Sequence, residues 1–283
     1  MQHQKRVAAI HDLSGVGKCS LTVAIPVLSA AGLECCPLPT AVLSTHTGGF
    51  KDFTFFDLTA QILPIANHWA QEGFEFSAIY TGYLGSQQQV ELVRQAVQKI
   101  GRGAKIIVDP VMGDNGKLYQ SFSNSFPLKM RELCAVADVL TPNITEACLL
   151  LGQPFLPPPH SQTFLNGLLE GLRQLCRGTV ILTGVSLAPG QLGALLAEPQ
   201  KPPQYLYNKR LQGTFHGTGD LFASTLTAAL VRGFSAEQAV RLAVDFTLRC
   251  IETTVQKYPD LWYGVAFEDE LEYFIKQVKE YGK

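Results

Sequence analysis

Short apolar runs alternate with helical patterns along most of the chain, and this alternation limits the possible folds more than any other feature. Apolar runs that predict strands lie at about 6–10, 34–43, 77–82, 104–108, 137–141 and 179–183. The segments between them predict helices at about 19–31, 56–71, 86–100, 143–151 and 162–176. Strands that are apolar throughout and joined by helices form parallel sheets covered on both faces. We therefore expect an α/β fold with a mostly parallel central sheet.

The final third of the chain has a different pattern. Residues 193–210 contain two apolar runs around a proline-rich turn, which predicts a hairpin at the edge of the sheet. Helices are predicted at 218–232, 235–256 and 267–281. The chain has no internal repeat, and the "LPPPH" at 156–160 is typical of a loop rather than of a domain linker. We therefore expect a single domain over residues 1–283.

The charge and the cysteines argue against several classes of protein. The net charge is −1 and no basic run occurs, so neither nucleic acid nor an anionic membrane is an expected partner. No uninterrupted apolar run approaches ~20 residues, and the first apolar stretch is too short for a signal peptide, so a cytoplasmic location is expected. The seven cysteines form no CxxC pair, which favours reduced thiols over disulfides or a zinc site.

The stretch "AAIHDLSGVGKCSLTVAIPVLSAAG" at 8–32 raises the question of a phosphate-binding P-loop. A Walker A loop requires G-x-x-x-x-G-K-[ST]. With Gly17 and Lys18 as its GK pair, the position of the first glycine holds Asp12, and Cys19 lacks the hydroxyl that would bind magnesium. Both ends of the motif fail, and the sequence therefore argues against a Walker-type nucleotide hydrolase.

Asp12 and Ser14 follow the first predicted strand, which ends at Ile10, and precede glycines that allow a sharp turn. Ligands of open α/β sheets bind outside the carboxyl ends of the strands, where a carboxylate and a hydroxyl could receive a small polar substrate. Either residue could equally cap the following helix. The local pattern leaves both interpretations open.

The stretch "FHGTGDLFASTLTAALVRG" at 215–233 gives the strongest chemical signal. Gly217, Thr218 and Gly219 precede an apolar helix, and a glycine turn at a helix N-terminus directs N–H groups towards an anion. Asp220 would then face a bound phosphoryl group, where a carboxylate is costly unless it accepts a proton or holds a metal. We predict that it is a general base, the alternative being an ordinary aspartate in a first helical turn.

Two further segments place polar groups at the ends of predicted strands. In "IIVDPVMGDNG", Asp109 ends a strand and Asp114 lies in a glycine-containing loop. In "VLTPNITEACLLLG", the strand ends at Thr141, and Asn143 and Glu146 follow at the start of a helix. Acidic groups at one edge of the sheet suit magnesium, usually through its waters, and nucleotide phosphates. Each of them alone could be a turn or capping residue.

The segment "VLSTHTGGF" at 42–50 places His46 and Thr47 after an apolar strand. The loop that follows could cover a binding site. A solvated loop histidine is the alternative interpretation.

The motifs "GTGD", "DPVMGD", "TPN-x-x-E" and "STHTGG" stand in the order and spacing of the ribokinase-like superfamily. Within it the chain most resembles the pyridoxal/pyridoxamine kinase branch, over nearly its full length. The resemblance implies a ribokinase-like three-layer α/β/α domain and ATP-dependent phosphorylation of the 5′-hydroxymethyl group of a B6 vitamer (pyridoxal, pyridoxamine or pyridoxine), for pyridoxal phosphate salvage. It also implies Mg²⁺, commonly a monovalent cation such as K⁺, and a homodimer.

The same resemblance implies roles for individual residues. Asp220 matches the catalytic base, which also contacts the substrate, and its anion hole matches Gly217, Thr218 and Gly219. The positions that hold ATP phosphates and cations match Asp109, Asp114, Thr141, Asn143 and Glu146, with Asp109 and Glu146 on the metal. Thr183 in "ILTG" matches a further nucleotide contact. The substrate side matches His46, Thr47 and Tyr83, to which the first strand–helix turn adds Asp12 and Ser14.

The first turn departs from the pattern of the branch. Many pyridoxal kinases carry serine at the position of Asp12, and "HDLSGVGKCS" is closer to the "DPSGGAG" turn of hydroxymethylpyrimidine kinases. "STHTGGF" instead resembles the "SNHTGY" of pyridoxal kinases and favours a B6 vitamer. The alternative is a hydroxymethylpyrimidine (phosphate) kinase of thiamine synthesis. A second alternative is a non-catalytic ligand-binding protein, which an eroded base or anion turn would favour; both are intact in this sequence.

Overall fold

The computed structural model of the protein describes residues 4–281, and its centre is one nine-stranded sheet. The strand order is β11-β10-β9-β8-β5-β4-β1-β2-β3, and a separate short hairpin pairs β6 with β7. The strands are β1 Arg6–Val16, β2 Glu34–Thr45, β3 Phe55–Asp57, β4 Ala78–Thr81, β5 Lys105–Val108, β6 Gly113–Asp114, β7 Lys117–Leu118, β8 Val139–Leu140, β9 Thr179–Val185, β10 Gln191–Ala197 and β11 Gln204–Lys209. The inner strands run parallel, whereas β3, β10 and β11 are antiparallel to their neighbours.

Helices cover both faces of the sheet. They are α1 Leu21–Ala30, α2 Ile62–Gln71, α3 Gln87–Ile100, α4 Phe126–Cys134, α5 Ile144–Leu151, α6 Gln162–Leu175, α7 Thr218–Arg232, α8 Ala236–Lys257 and α9 Leu271–Tyr281. One apolar core lies between the sheet and α1, α7, α8 and α9, and a second lies between the sheet and α2 to α6. The predicted α/β fold, with a mostly parallel sheet and an edge hairpin, is confirmed. Among the described residues, none of these helices is both long and apolar enough to cross a bilayer.

Local structure differs from the sequence-based expectation in four features. The first strand continues from Ile10 to Val16, because β2 pairs alongside it past an irregularity between His11 and Leu13. The expected helix at 56–71 begins only at Ile62; Phe55–Asp57 pairs with β2 instead. The hairpin β6–β7 and helix α4 were not predicted.

The strand order places the chain's change of direction at β1. β2 lies on one side of β1 and β4 on the other, and the chain then continues through β5, β8 and β9 away from β1. A crevice forms outside the carboxyl ends of the strands where the direction of winding reverses, and ligands bind there in open α/β sheets. The end of β1 and the segments after β4, β5 and β8 therefore surround the candidate site.

Candidate active site

Asp220 lies in the first turn of α7, directly after the predicted anion-binding glycines. The helix begins after Gly217, whose φ of 74° is in the left-handed region that favours glycine. A Cβ built on Gly217 would lie 2.0 Å from the carbonyl oxygen of Lys18, whereas one on Gly219 would meet open space. The glycine turn 217–219 therefore packs directly against the turn that follows β1.

The pKa of Asp220 is raised to about 7, first because the carboxyl is buried. The nearby negative charge of Asp12 raises it further, and a hydrogen bond from the backbone N–H of Ser20 opposes both effects. A carboxyl with a pKa near neutrality is suited to accept a proton at physiological pH. The arrangement is consistent with the predicted general base.

Asp12 is buried, and its carboxylate accepts hydrogen bonds from two serines. Ser20 Oγ donates to Oδ1 at 2.5 Å and Ser14 Oγ donates to Oδ2 at 2.8 Å. Asp12 and Ser14 lie on β1 itself, which corrects their expected position in a turn after Ile10. The sharp turn comes later, at residues 17–20, so β1 occupies the stretch that a Walker loop would need for its phosphate-binding curve.

Glu146 ties the start of α5 to the loop after β5. Its Oε2 accepts from the backbone N–H of Asn143 at 2.8 Å, and the Asn143 side chain accepts from the Glu146 N–H at 2.9 Å, which forms a capping box. Its Oε1 accepts from the N–H of Met112 at 3.1 Å, and Asn143 Nδ2 donates to the carbonyl of Gly113 at 2.9 Å. Asp114 lies exposed on β6 in the same loop.

Asp109 directly follows β5, near Glu146 and Asp220. Its pKa is raised well above the usual range, first by burial and then by the charges of Glu146 and Asp220; the hydroxyl of Thr141 partly offsets this. Burial also raises the pKa of Glu146. Within residues 4–281, no three side chains of the His, Cys, Asp and Glu types come close enough to bind a metal directly. Buried carboxylates that destabilise one another's charge would nevertheless be relieved by a cation, and Mg²⁺ retains several of its waters in proteins.

Thr183 lies next to the end of β8. Its backbone N–H donates to the carbonyl of Pro142 at 2.9 Å, and it forms a parallel bridge with Asn143. Thr141, Asn143 and Thr183 are thereby brought to one part of the edge. This part adjoins the loop 109–116.

His46 is buried, and both of its ring nitrogens are engaged within the protein. Nδ1 accepts from the backbone N–H of Gly48 at 3.0 Å, so Nε2 carries the proton and donates to the carbonyl of Tyr263 at 2.9 Å. Burial is the main cause that lowers the pKa of His46. The ring therefore joins the loop 46–50 to the C-terminal loop 258–264. The predicted contact with substrate has no free ring nitrogen in this arrangement.

The other two predicted substrate residues lie in loops around the crevice. Thr47 is exposed in the loop 46–50. Tyr83 follows β4; its ring lies 5.6 Å from that of Phe122, and its hydroxyl is 3.5 Å from Ser121 Oγ. Burial raises the pKa of Tyr83, and the negative charge of Asp12 raises it further.

Sequence analysis missed several residues of the site. Ser20 lies between Asp12 and Asp220, but neither the Walker comparison nor the pattern around Asp12 and Ser14 indicates a role for it. His216 precedes the glycine turn, and its ring centroid lies 5.2 Å from that of His46. Trp262 packs on Phe50, with their ring centroids 4.6 Å apart. The burial of Ser20 could have been suspected from the apolar residues that follow it in the sequence. The contacts of Trp262 depend on a distant segment and have no such local signal.

Comparison with known proteins agrees with this geometry. A family model for phosphomethylpyrimidine kinase matches residues 24–259. A Bacteroides thetaiotaomicron protein with the provisional name phosphomethylpyrimidine kinase, crystallised with pyridoxal, is 37% identical, with a TM-score of 0.90 over 96% of each chain. Pyridoxal kinase from Lactobacillus plantarum is 31% identical, with a TM-score of 0.89 over 98% of each chain.

The likeness extends to a curated relative. The pyridoxine/pyridoxal/pyridoxamine kinase of Bordetella avium is 31% identical over 261 residues, which cover 88% of this chain and 85% of the relative. The similar structures cover nearly the whole chain, whereas the family match begins after β1 and the turn 17–20. The chain belongs to the phosphomethylpyrimidine kinase family and, within the ribokinase-like superfamily, to its pyridoxal kinase branch.

Proposed function

We propose that this kinase transfers the γ-phosphoryl group of ATP to the 5′-hydroxymethyl group of a B6 vitamer. The observation that carries the proposal is Asp220, a carboxyl with a pKa of about 7 beside the glycine turn 217–219 at the N-terminus of α7. The relatives named for pyridoxal, pyridoxine and pyridoxamine, and the Bacteroides structure with pyridoxal, support the choice of substrate.

In the proposed reaction, the alcohol oxygen attacks the γ-phosphorus as its proton passes to Asp220. The new O–P bond forms while the bond to the ADP oxygen breaks, which releases ADP. The N–H groups of Gly217, Thr218 and Gly219 stabilise the oxygens of the transferring group. Since phosphoryl transfer depends mainly on positioning and charge neutralisation, Asp220 need not deprotonate the alcohol in advance.

We place the nucleotide beside the polar groups after β5, β8 and β9. Its binding residues in this proposal are Asp109, Asp114, Thr141, Asn143, Glu146, Thr183, Gly217 and Gly219. Asp109 and Glu146 would hold Mg²⁺ through its waters, and bound magnesium neutralises charge on the phosphates. A monovalent cation such as K⁺ belongs to the same side of the site.

The vitamer would lie on the β1 and β4 side, near Asp12, Ser14, Tyr83 and Thr47. His46 borders this space through the loops that it joins. A protonated ring nitrogen would be attracted to the negative Asp12. Transfer to a B6 vitamer is measured by ADP release with pyridoxal, pyridoxine, pyridoxamine and hydroxymethylpyrimidine as separate substrates; activity with none of the vitamers would contradict the proposal.

Hydroxymethylpyrimidine phosphorylation is the second candidate, because the matching family model is that of phosphomethylpyrimidine kinase. The Asp12–Ser14 pair also corresponds to the "DPSG" order of those kinases. A kcat/KM for hydroxymethylpyrimidine at least tenfold above that for every vitamer would favour this candidate.

We also propose that the whole chain acts as one domain and forms a homodimer in the cytoplasm. The free cysteines of the described residues agree with a reducing compartment.

Support for the dimer comes from the sheet edge, where Phe55 and Phe56 of β3 are 46% and 67% exposed. Large exposed apolar groups on an edge strand commonly mark an interface. Sedimentation should show a dimer that Phe56→Asp dissociates; a monomeric parent protein would contradict it.

A further inference from the structure

Ser20 occupies the N-cap position of α1, yet its side chain makes no capping hydrogen bond. An N-cap serine ordinarily accepts a hydrogen bond from an N–H of the first helical turn. Here the hydroxyl turns away from the helix and donates to Asp12 Oδ1 at 2.5 Å, in a buried environment. The side chain thus fixes the position of residue 20 relative to strand β1 instead of stabilising the helix.

The backbone around Ser20 is strained. Ser20 has a φ of 54° and Lys18 a φ of 24°, both in the region that non-glycine residues seldom adopt. Such conformations persist where the surroundings impose them, and they cluster at functional sites. The hydrogen bond to Asp12 holds one end of this turn, and the contact of the Lys18 carbonyl with Gly217 holds the other.

Because the carbonyl of Lys18 and the side chain of Cys19 pack on Gly217, this conformation brings the backbone N–H of Ser20 next to the Asp220 carboxylate at the start of α7. The lowering effect of this N–H on the pKa of Asp220 agrees with that placement. A carboxylate can rotate about its last side-chain torsion, whose energy well is broad. A general base, however, must direct an oxygen to the incoming alcohol, and small misplacements are costly in rate. An N–H held by a strained turn would restrict that rotation.

We propose that Ser20, held in place by Asp12, is a positioning residue for the Asp220 carboxylate. The Ser20 hydroxyl fixes the turn, and its N–H orients the base towards the alcohol. This inference rests on the proposed function, since it assigns Asp220 the role of base. Asp12 acquires a second contribution besides any contact with substrate: it anchors the turn and places a negative charge near Asp220, which favours proton uptake.

The test compares Ser20→Ala with Thr22→Val, a matched loss of one hydroxyl from the start of α1. Thr22 Oγ1 donates to the carbonyl of Cys19 at 2.7 Å and so also braces the turn, whereas the hydroxyls that donate to Asp12 are those of Ser14 and Ser20. Initial rates with pyridoxal and ATP separate kcat from the two KM values, and thermal unfolding monitors stability. Ser20→Gly tolerates a positive φ and carries the test if Ser20→Ala does not fold.

We expect Ser20→Ala to lower kcat by roughly tenfold to a hundredfold, with both KM values within about threefold of the parent. Thr22→Val should keep kcat within about threefold of the parent, even if its melting temperature falls as far as that of Ser20→Ala. In an Asp220→Asn background, Ser20→Ala should not lower the residual rate further, because the base it positions is absent.

Two results would overturn the inference. One is an equal loss of kcat in Ser20→Ala and Thr22→Val, which would reduce Ser20 to a structural role. The other is a full additional loss from Ser20→Ala in the Asp220→Asn background, which would mean that Ser20 acts elsewhere. A parent protein inactive with every vitamer, or an Asp220→Asn variant as active as the parent, would instead contradict the proposed function, and the inference with it.

Discussion

Gly217 packs so closely against Lys18 that a Cβ at position 217 would lie 2.0 Å from the Lys18 carbonyl oxygen. The φ of 74° at Gly217 adds backbone strain to any other residue. Gly217→Ala should therefore lower the free energy of unfolding by about 3 kcal/mol or more. Urea unfolding measures this loss. Gly219→Ala meets open space and is the matched control for stability, so an equal loss in both variants would contradict the explanation.

Asp220→Asn preserves shape and removes the proton acceptor. We expect kcat to fall by roughly 10²–10⁴, with ATP affinity unchanged or improved because a negative charge near the γ-phosphate is lost. In the parent protein, kcat/KM should fall as the pH drops below about 7, the pKa of Asp220, since the protonated carboxyl cannot act as a base. Steady-state kinetics and nucleotide titration provide both measurements. A kcat within a few-fold of the parent would leave Asp220 as an ordinary first-turn residue.

Glu146→Gln tests the cation side of the site. The glutamine keeps one acceptor oxygen but sets an NH₂ group against an N–H of Met112 or Asn143, which should cost about 1–3 kcal/mol of stability. We expect the magnesium concentration for half-maximal activity to rise several-fold before the vitamer KM changes. The exposed Glu170→Gln on α6 is the control. An unchanged magnesium curve in a destabilised Glu146→Gln protein would limit Glu146 to its capping role.

His46→Phe keeps a ring but removes the hydrogen bonds to Gly48 and Tyr263. We expect the vitamer KM to rise several-fold, because the loops 46–50 and 258–264 lose their connection at the edge of the site. Limited proteolysis should cut these loops faster than in the parent. His68→Phe, at an exposed position of α2, should change neither property. If proteolysis and KM are both unaltered in His46→Phe, aromatic packing alone holds the loops.

His11 should make stability depend on pH. Burial lowers its pKa from 6.5 to about 3, so between these values the unfolded chain binds a proton that the folded protein does not. The contribution of the neutral His11 to the free energy of unfolding is complete above about pH 6.5. It is lost as the pH falls towards 3, by up to about 1.4 kcal/mol per pH unit. Urea unfolding between pH 4 and 6.5 gives the free energy of unfolding at each pH. Its slope against pH should be shallower in His11→Phe than in the parent by about that amount. Parallel slopes would mean that His11 is protonated in the folded protein.

The features that sequence analysis found are those with local signatures. The glycine turn before Asp220, the polar residues after β5 and β8, and the strand–helix alternation each depend on neighbouring residues, and the structure brings them to one edge. The continuation of β1 to Val16 was missed because Asp12 and Ser14 are polar and glycines follow them. Pairing with β2 and the hydrogen bonds among Asp12, Ser14 and Ser20 allow these groups to be buried.

The roles of Ser20 and His46 could not be predicted for the same physical reason. Each depends on a partner distant in the chain: Asp220 for Ser20 and Tyr263 for His46. No periodicity or spacing encodes such a contact. The strand Phe55–Asp57 was missed because its apolar residues continue into a helical pattern, and only its pairing with β2 decides between the two.

The C-terminal loop has a consequence for how the protein is made. Lys18, in the turn beside the site, pairs with Glu268 at 2.5 Å, and Gly264 packs on the Lys18 side chain. His46 depends on Tyr263 in the same segment. A ribosome synthesises the first strands long before this segment, so on a growing chain the turn 17–20 and the loop 46–50 lack these partners. The crevice therefore reaches its final shape only after nearly the whole chain has been translated. Nascent protein stalled before residue 258 would contain every motif of the site but lack the C-terminal residues that hold the turn 17–20 and the loop 46–50 in place.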